Sequence, residues 1–423
     1  MEELFRHSLD YAIAKGAPEW FIDLRKEALT FYQTANWPIY ERFPFKEWDL
    51  TEVRLDLMPV EQWPETPILT NEENKALSVR VGNDSVAIQL DEEWSRKGVI
   101  VEDLWTALHD HEALVKEAMY QLKEKDHKMH AQVFAYLTAG TFVYIPQNVI
   151  LDEPIVLKTW MDNTRKHSLM EYLLVFVEEG AQIELFETLS SYGHHINLAN
   201  VFTHLVTRDN TQVDFVSIDE LGSQVTAYLS GFAEIGHNSQ MRWTTAALSR
   251  GNTLGDYSLD ALKEGGEGEL EILSVATGEQ KKGFNTQTIN DARHTIGHIL
   301  QHAAVLDEAF LSFNGITSID HGAKFSDGRQ TSRILMLSDK ARGDVNPLLF
   351  IDQFEVTAGH SASAGQLDQE QLHYLMSRGI ERRVAEQLVA RGFLGVVIER
   401  IRNRQLQNNI IEVVDERLIG HDE

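Results

Sequence analysis

Hydrophobic and polar positions along the chain follow three different rhythms. Near the amino terminus, after Ala17-Pro18-Glu19, the residues Phe21, Leu24, Ala28, Phe31 and Tyr32 fall on one face of a 3.6-residue repeat and predict a helix. Pro38, Pro44, Pro59, Pro64 and Pro67 then punctuate irregular connections. Leu104, Leu108, Val115, Ala118 and Leu122 predict a second amphipathic stretch. Residues 1–130 thus form an expected helical, loop-rich unit.

From about Thr141 the rhythm shortens to β-prone runs, among them 142–145, 155–160, 172–177, 182–186 and 213–218. A turn residue, a small residue, glutamine and an apolar residue recur as Gly180-Ala181-Gln182-Ile183, Asn210-Thr211-Gln212-Val213, Gly222-Ser223-Gln224-Val225 and Asn238-Ser239-Gln240-Met241. Six of the nine prolines lie in the first 67 residues and only Pro347 follows Pro154, so backbone donors are available for strand pairing throughout this part. Many short strands with frequent turns and no intervening helical pattern predict a β-solenoid over 131–360, with a sandwich or barrel as the competing architecture. The third rhythm is helical and defines a carboxy-terminal unit, 361–423. Asp368 is a candidate N-cap with Gln371 three residues on, and its helix should stop near Arg378-Gly379. A second helix over 381–391 would bury Val384, Ala385 and Leu388 and end at Gly392.

Composition is ordinary for a globular chain, with 43% hydrophobic and 24% charged residues among 423. Charge changes the picture more. A net −27 repels phosphate backbones and anionic lipid, which argues against nucleic-acid and membrane partners. Against that background, residues 378–404 hold seven arginines and three glutamates, a local +4 that marks either a docking face or a face balancing nearby carboxylates. There is no cysteine, which removes a disulfide framework, a thiolate nucleophile and any thiolate-held metal centre supplied by this chain alone. Residues 1–16 carry Glu2, Glu3, Arg6 and Asp10 among their apolar positions, unlike a secretory signal, and a cytoplasmic location is expected.

Candidate chemistry is sparse. Gly278 and Gly283 have phosphate-loop spacing, but Phe284-Asn285 stands where lysine and a hydroxyl residue are required, so the chain should not hydrolyse ATP. Gly265-Gly266-Glu267-Gly268 reads as a tight turn, and His111-Glu112 lacks the second histidine of a zinc-protease helix. His294, His298 and His302 recur every fourth residue; on a strand, such positions stand roughly 13 Å apart, too far for one ion. No Gly-x-Ser-x-Gly elbow occurs. With acids abundant, a β-solenoid carbohydrate-active enzyme using paired carboxylates is the alternative reading.

The carboxy-terminal part of the β-rich region reads FNGITSID from Phe313, SRILMLSDKARGDVNPLLFIDQFEVTAGHSASAGQLD from Ser332, LHYLMSRGI from Leu372 and ARGF from Ala390. This resembles the SufB/SufD family, the scaffold proteins of Suf iron-sulfur cluster assembly. The likeness continues through GTFVYIPQNVILDEPI from Gly140, LLVFVEEGAQ from Leu173 and GAPEWFIDLRKEAL near the start, and so covers most of the chain. It implies a right-handed parallel β-helix flanked by amino- and carboxy-terminal helical regions, working as a non-catalytic scaffold. It also implies pairing with SufB, docking of the SufC ATPase on the carboxy-terminal helices, and a nascent iron-sulfur cluster assembled at the opened interface. A third possibility is a homodimer of the isolated chain through the same edge, because stacked strands at a solenoid end or side can pair with an identical copy.

Because SufB-type chains supply the cysteines, a chain without cysteine resembles the SufD branch and should hold no cluster stably by itself. Many SufD relatives carry a cysteine two residues before a histidine that matches His360; here Ala358 stands there, which leaves His360 as the candidate cluster-site and metal-binding residue, acting jointly with partner ligands. The likeness over Asp368 to Ile401 makes Tyr374, Arg378, Arg383 and Phe393 candidates for partner binding, with packing of the helices as the other reading for Tyr374 and Phe393.

Overall fold

The computed structural model describes residues 2–61, 74–120, 127–261 and 263–419; of the positions named above, Pro64, Pro67 and Leu122 lie outside these. From Ala139 the chain winds as a parallel β-solenoid of two sheets. One sheet contains, in spatial order, Thr357–Gln366, Asp327–Met336, Ile296–Val305, Glu267–Ala276, Gln240–Ala247, Gln212–Glu220, Gln182–Gly193, Ile155–Asn163, Ala76–Val81 and Asp84–Leu90. The other contains Arg342–Ile351, Phe310–Ile319, Lys281–Asn290, Thr253–Ala261, Val225–Ile235, Asn197–Thr207, Leu169–Val177, Ala139–Ile145 and Ile100–Asp103. The chain crosses from sheet to sheet at each step, so every strand from Ala139 onward pairs with the strand one turn earlier and the strand one turn later, until the last turn.

The recurrent glutamine motif marks one corner of this winding. Gln182, Gln212 and Gln240 are stacked in register, and the residues two positions before them, Gly180, Asn210 and Asn238, have φ of 73°, 59° and 49°. Gly265, His294 and Phe325 continue the column, also at positive φ. Each donates its backbone N–H to the carbonyl of the next turn, as from Asn210 to His237 (2.7 Å) and from His294 to Lys324 (3.0 Å). At Gly180 a Cβ would fall 2.4 Å from the Asn148 Oδ1, so a larger residue there would require the Asn148 amide to move. The Gly222 instance lies on the opposite corner, before Val225–Ile235.

Alternation along each strand divides the side chains. Inward ones, such as Leu185, Phe215, Trp243, Leu270, Val201, Tyr257, Phe284 and Phe313, fill the space between the sheets. Gly231 is open to the indole of Trp243, where a Cβ would come within 2.2 Å. Outward side chains are covered by helices. Against the second sheet pack α1 (Glu2–Ala14), α2 (Glu19–Thr34), α4 (Leu104–Asp110), α5 (Glu112–Ala118) and α6 (Lys128–Tyr136), with Phe142, Tyr172, Phe176 and Phe202 meeting Phe21, Trp105, Leu108 and Phe134, whereas α3 (Glu92–Arg96) sets Trp94 into the core between the sheets. Buried Arg25 of α2 donates to the carbonyls of Phe134 (3.0 Å), Ala135 (3.0 Å) and Leu137 (3.1 Å), closing the carboxy end of α6. Against the first sheet pack α7 (Gln369–Ser377), α8 (Arg382–Ile398) and α9 (Arg404–Ile419), with Ile218, Ala246, Val275 and Leu335 facing Leu394, Val397, Ile410 and Val414.

The structure differs from the expected element boundaries in several places. The amino-terminal region, expected to be helical over 1–130, also supplies Ala76–Val81, Asp84–Leu90 and Ile100–Asp103. Ala76–Val81 runs parallel to Ile155–Asn163, and Ile100–Asp103 lies antiparallel to Ala139–Ile145, so these strands close the first end of the solenoid. The stripe from Leu104 breaks at His111 into α4 and α5. The last strand extends to Gln366, beyond 360. Asp368 caps α7, its Oδ1 accepting the Glu370 N–H at 2.8 Å, and Gly379 at φ 87° follows the helix end. However, α8 does not stop at Gly392. It continues to Ile398 because Leu394, Val397 and Ile398 find an apolar sheet to cover, which outweighs a glycine cost of about 1 kcal/mol.

The interior is not wholly apolar. Glu187 faces inward, beside a cavity of about 20 Å³ lined also by Ser217, Asp219, Thr245 and Tyr257. Burial, with Glu171 nearby, pushes its carboxyl up to about 8. A carboxyl raised in the folded state from 4.5 binds a proton that the unfolded chain releases, so the stability it contributes is complete below pH 4.5 and is lost as pH rises through 8. At pH 7 the loss is about 3 kcal/mol. We expect Glu187→Gln to flatten the stability profile between pH 5 and 8 in denaturant titrations and to exceed the wild type at pH 8; an unchanged slope would refute the assignment.

Candidate functional site

The two ends of the solenoid differ. The first is closed by strands and by Arg80, whose buried guanidinium bonds Asp103 (2.8 Å) and the carbonyls of Asn83 (3.1 Å) and Gly140. The other ends on Arg342–Ile351 and Thr357–Gln366, the last strand of each sheet, with no described strand or helix over them. Ala358, His360, Ala362 and Ala364 continue the inward columns of Gly328, Gln330, Ser332 and Ile334, yet all four are exposed. Thr357 donates its N–H to the Ser326 carbonyl (2.9 Å) of the preceding turn. By the alternation of a parallel ladder, the N–H groups of Ala358, His360, Ala362 and Ala364 therefore point to the open side. An asparagine ladder climbs to the same edge: Asn314 donates to Asn285 (2.9 Å) and Asn346 to Asn314 (3.0 Å). Around the rim stand Phe350, 58% exposed, and Phe354, fully exposed. Unpaired strand edges of this length, with apolar side chains at their border, are a template for another chain.

His360, on this last strand, is the expected site residue that the open end exposes. The other candidates lie on α7 and α8. Tyr374 is 57% exposed, with the Arg378 guanidinium 5.1 Å from its ring centre, and Val384 and Leu388 add exposed apolar surface on α8. Arg383 is exposed on the same helix. Phe393 turns the other way: its ring stacks on His302 at 4.7 Å and its carbonyl accepts the His302 Nδ1–H at 2.8 Å, fixing α8 to the sheet. It fits the packing reading rather than a free surface.

The arginine excess is also partly internal. Arg382 pairs with Glu386 (2.8 Å), Arg391 with Asp415 (3.1 Å), Arg402 with Asp214 (2.8 Å), and Arg400 with Glu269 (2.8 Å) and Glu271. Arg382 thus pairs within α8, while three of the seven arginines, Arg391, Arg400 and Arg402, join α8 to α9 or tie the carboxy-terminal region to the first sheet, the balancing role that sequence left as an alternative. A cavity of about 140 Å³ in this region is lined by Asp214, Arg242, Glu267, Glu269 and Arg402. Its acids Asp214 and Glu269 are matched by arginines, a poor arrangement for the acid-base pair of a carbohydrate-active enzyme.

His294, His298 and His302 do not converge. His294 stacks on Phe325 at the corner, His298 lies 3.6 Å from Asp327, and His302 belongs to the α8 contact. Among the described residues, no group of three or more histidine, aspartate or glutamate side chains is arranged to hold a metal ion, and no helix is long and apolar enough to cross a membrane.

The chain is thus a helix-sheathed parallel solenoid with one end closed by strands and the other end uncovered by any described strand or helix. Residues 160–393 match the family described as SUF system FeS cluster assembly, SufBD core domain. The chain is 32% identical over 415 residues to the iron-sulfur cluster assembly protein SufD of Bacillus subtilis (strain 168), covering 95% of this chain and 94% of that one. It is 23% identical over 406 residues to an iron-sulfur cluster assembly SufBD family protein of Staphylococcus aureus (strain MRSA252), covering 90% and 85%. A SufBD family protein of Staphylococcus haemolyticus (strain JCSC1435) is 24% identical over the same length. The chain belongs to the SufBD family.

Proposed function

We propose that this chain is the SufD-like subunit of a Suf assembly scaffold, non-catalytic itself, pairing with SufB through the open end of the solenoid and receiving the SufC ATPase on the exposed face of α7 and α8. The observation that carries this reading is the unpaired last turn in a chain that lacks cysteine. Sulfur ligands for a nascent iron-sulfur cluster then come from SufB, and His360 contributes an imidazole from the rim. The cluster is cargo formed at the joint, not a group this chain retains. A cytoplasmic setting, with reduced thiols on the partner, suits this chemistry. In the absence of SufB the same edge serves a homodimer.

The experiment is reconstitution of the complex from the three proteins, with iron and acid-labile sulfide counted per complex. We expect His360→Ala to assemble with unchanged mass and to incorporate less than about one-tenth of the wild-type iron, the scale on which loss of groups around a metal site is felt. Full incorporation by an intact complex would remove His360 from the site.

A further inference from the structure

The asparagine ladder that reaches the open end has a fixed direction. Phe284 and Phe313 face the interior, so their neighbours Asn285 and Asn314 stand on the outer face of the second sheet. At the root of the ladder the Asn285 Nδ2 donates to the Ile39 carbonyl at 3.0 Å. A carbonyl can only accept, so the nitrogen must face it and the amide cannot be flipped. Asn314, in register one turn later, meets the Asn285 Oδ1 at 2.9 Å, and only its nitrogen can donate there. Asn346, in register on the last strand, repeats the step, its Nδ2 donating to the Asn314 Oδ1 at 3.0 Å. Each of these amides therefore turns its nitrogen toward the body of the solenoid and its oxygen toward the open end. The series stops at half-buried Asn346, whose Oδ1 accepts from no described residue.

The backbone beside it does not offer the same recognition. Arg342 donates its N–H to the Ala309 carbonyl of the preceding turn at 2.9 Å, so by alternation the odd-numbered residues of this strand face the open side. One of them is Pro347, which has no N–H to give. It removes a donor from the open edge without breaking any bond of the solenoid's own ladder, a device that keeps an edge strand from pairing indiscriminately. Selection at this point of the edge falls to the Asn346 side chain.

We propose that Asn346 is a specificity-determining residue of the open end: its Oδ1 accepts from an amide side chain, asparagine or glutamine, that a SufB strand places one turn beyond, so that the ladder continues across the joint. The inference rests on the reading of the open end as the SufB-binding edge. An amide is the occupant that fits, because it donates to the Oδ1 and repeats the step that each asparagine makes on the one before it. A carboxylate in that position would set acceptor against acceptor in a partly desolvated place and is refused.

The test is the affinity of full-length variants for SufB, with Ala362→Pro as the reference for the edge as a whole. Asn346→Leu removes the acceptor. Asn346→Asp keeps one and, like the leucine, loses the donor to Asn314, so both variants should melt earlier than the wild type. We expect Asn346→Leu to bind SufB about 10-fold more weakly and Asn346→Asp to stay within about threefold of the wild type. Undiminished binding by Asn346→Leu while Ala362→Pro is weakened would overturn the proposal and leave the docking edge standing; undiminished binding by both would remove the two together. Equal weakening by leucine and aspartate would make Asn346 a purely structural residue, and a loss confined to self-association would assign its acceptor to a second copy of this chain. Either result overturns the proposal.

Discussion

Ala362→Pro is expected to leave the isolated chain folded and to weaken its pairing with SufB by about 100-fold or more. The N–H of Ala362 faces the open side of the last strand, so proline there removes no bond of the solenoid's own ladder. The residue before it, Ser361, is already extended, as proline requires. What proline does remove is a donor at the centre of the proposed docking edge, while its ring stands on the open side of the strand. Ser361→Pro is the matched control: its N–H faces Asp327–Met336, so it should cost the isolated chain about 3 kcal/mol. Equilibrium unfolding of both variants, with affinities for SufB measured by interferometry, separates the two effects. Equal affinity of wild type and Ala362→Pro for SufB would place the interface elsewhere.

The second large effect concerns the ATPase. Combined Tyr374→Ala and Arg378→Ala should reduce SufC affinity by about 30-fold or more, because an exposed tyrosine with an arginine over its face is the kind of anchor that dominates interface energies. The stability of the chain should change by less than about 0.5 kcal/mol, since neither side chain is buried. Removing the whole carboxy-terminal region is a poorer test. It would bare Ile218, Ala246, Val275 and Leu335, which α8 and α9 cover, and the loss of capture would then report aggregation. Titration calorimetry of the double variant against SufC gives the answer directly. Undiminished binding would move the dock off this face.

Much of the fold is legible in the sequence because its causes are local. The β-prone runs need no partner to be recognised, and the Gly180, Asn210 and Asn238 motifs signal a left-handed corner wherever they occur. Asp368 likewise caps its helix by reaching two residues ahead. What escaped depends on distant partners. The exception is the hairpin of Ala76–Val81 and Asp84–Leu90, whose signal is local, with alternation over residues 77–81 followed by Gly82-Asn83. α8 outruns Gly392, and α9 exists, because an apolar sheet lies beneath them. The arginines of 378–404 read equally as a docking face or as a face balancing carboxylates, and only the winding of the solenoid, which brings Asp214, Glu269 and Glu271 to Arg400 and Arg402, separates the two for those residues.

The candidate site shows the same division. His360 stands out only through family resemblance, and its position, inward-facing on an uncovered turn, follows from register with Gln330 on the preceding turn. Phe393 reads in sequence either as a surface anchor or as packing, and only the fold brings its ring onto His302.

Hydrogen exchange of the full-length chain, alone and with SufB added, bears most directly on the open end as the working surface. We expect slowed exchange at Ala358, His360, Ala362 and Ala364 and along Arg342–Ile351, with Ala76–Val81 at the closed end unchanged. A complex that forms while exchange across 342–366 stays as fast as in the free chain would contradict it.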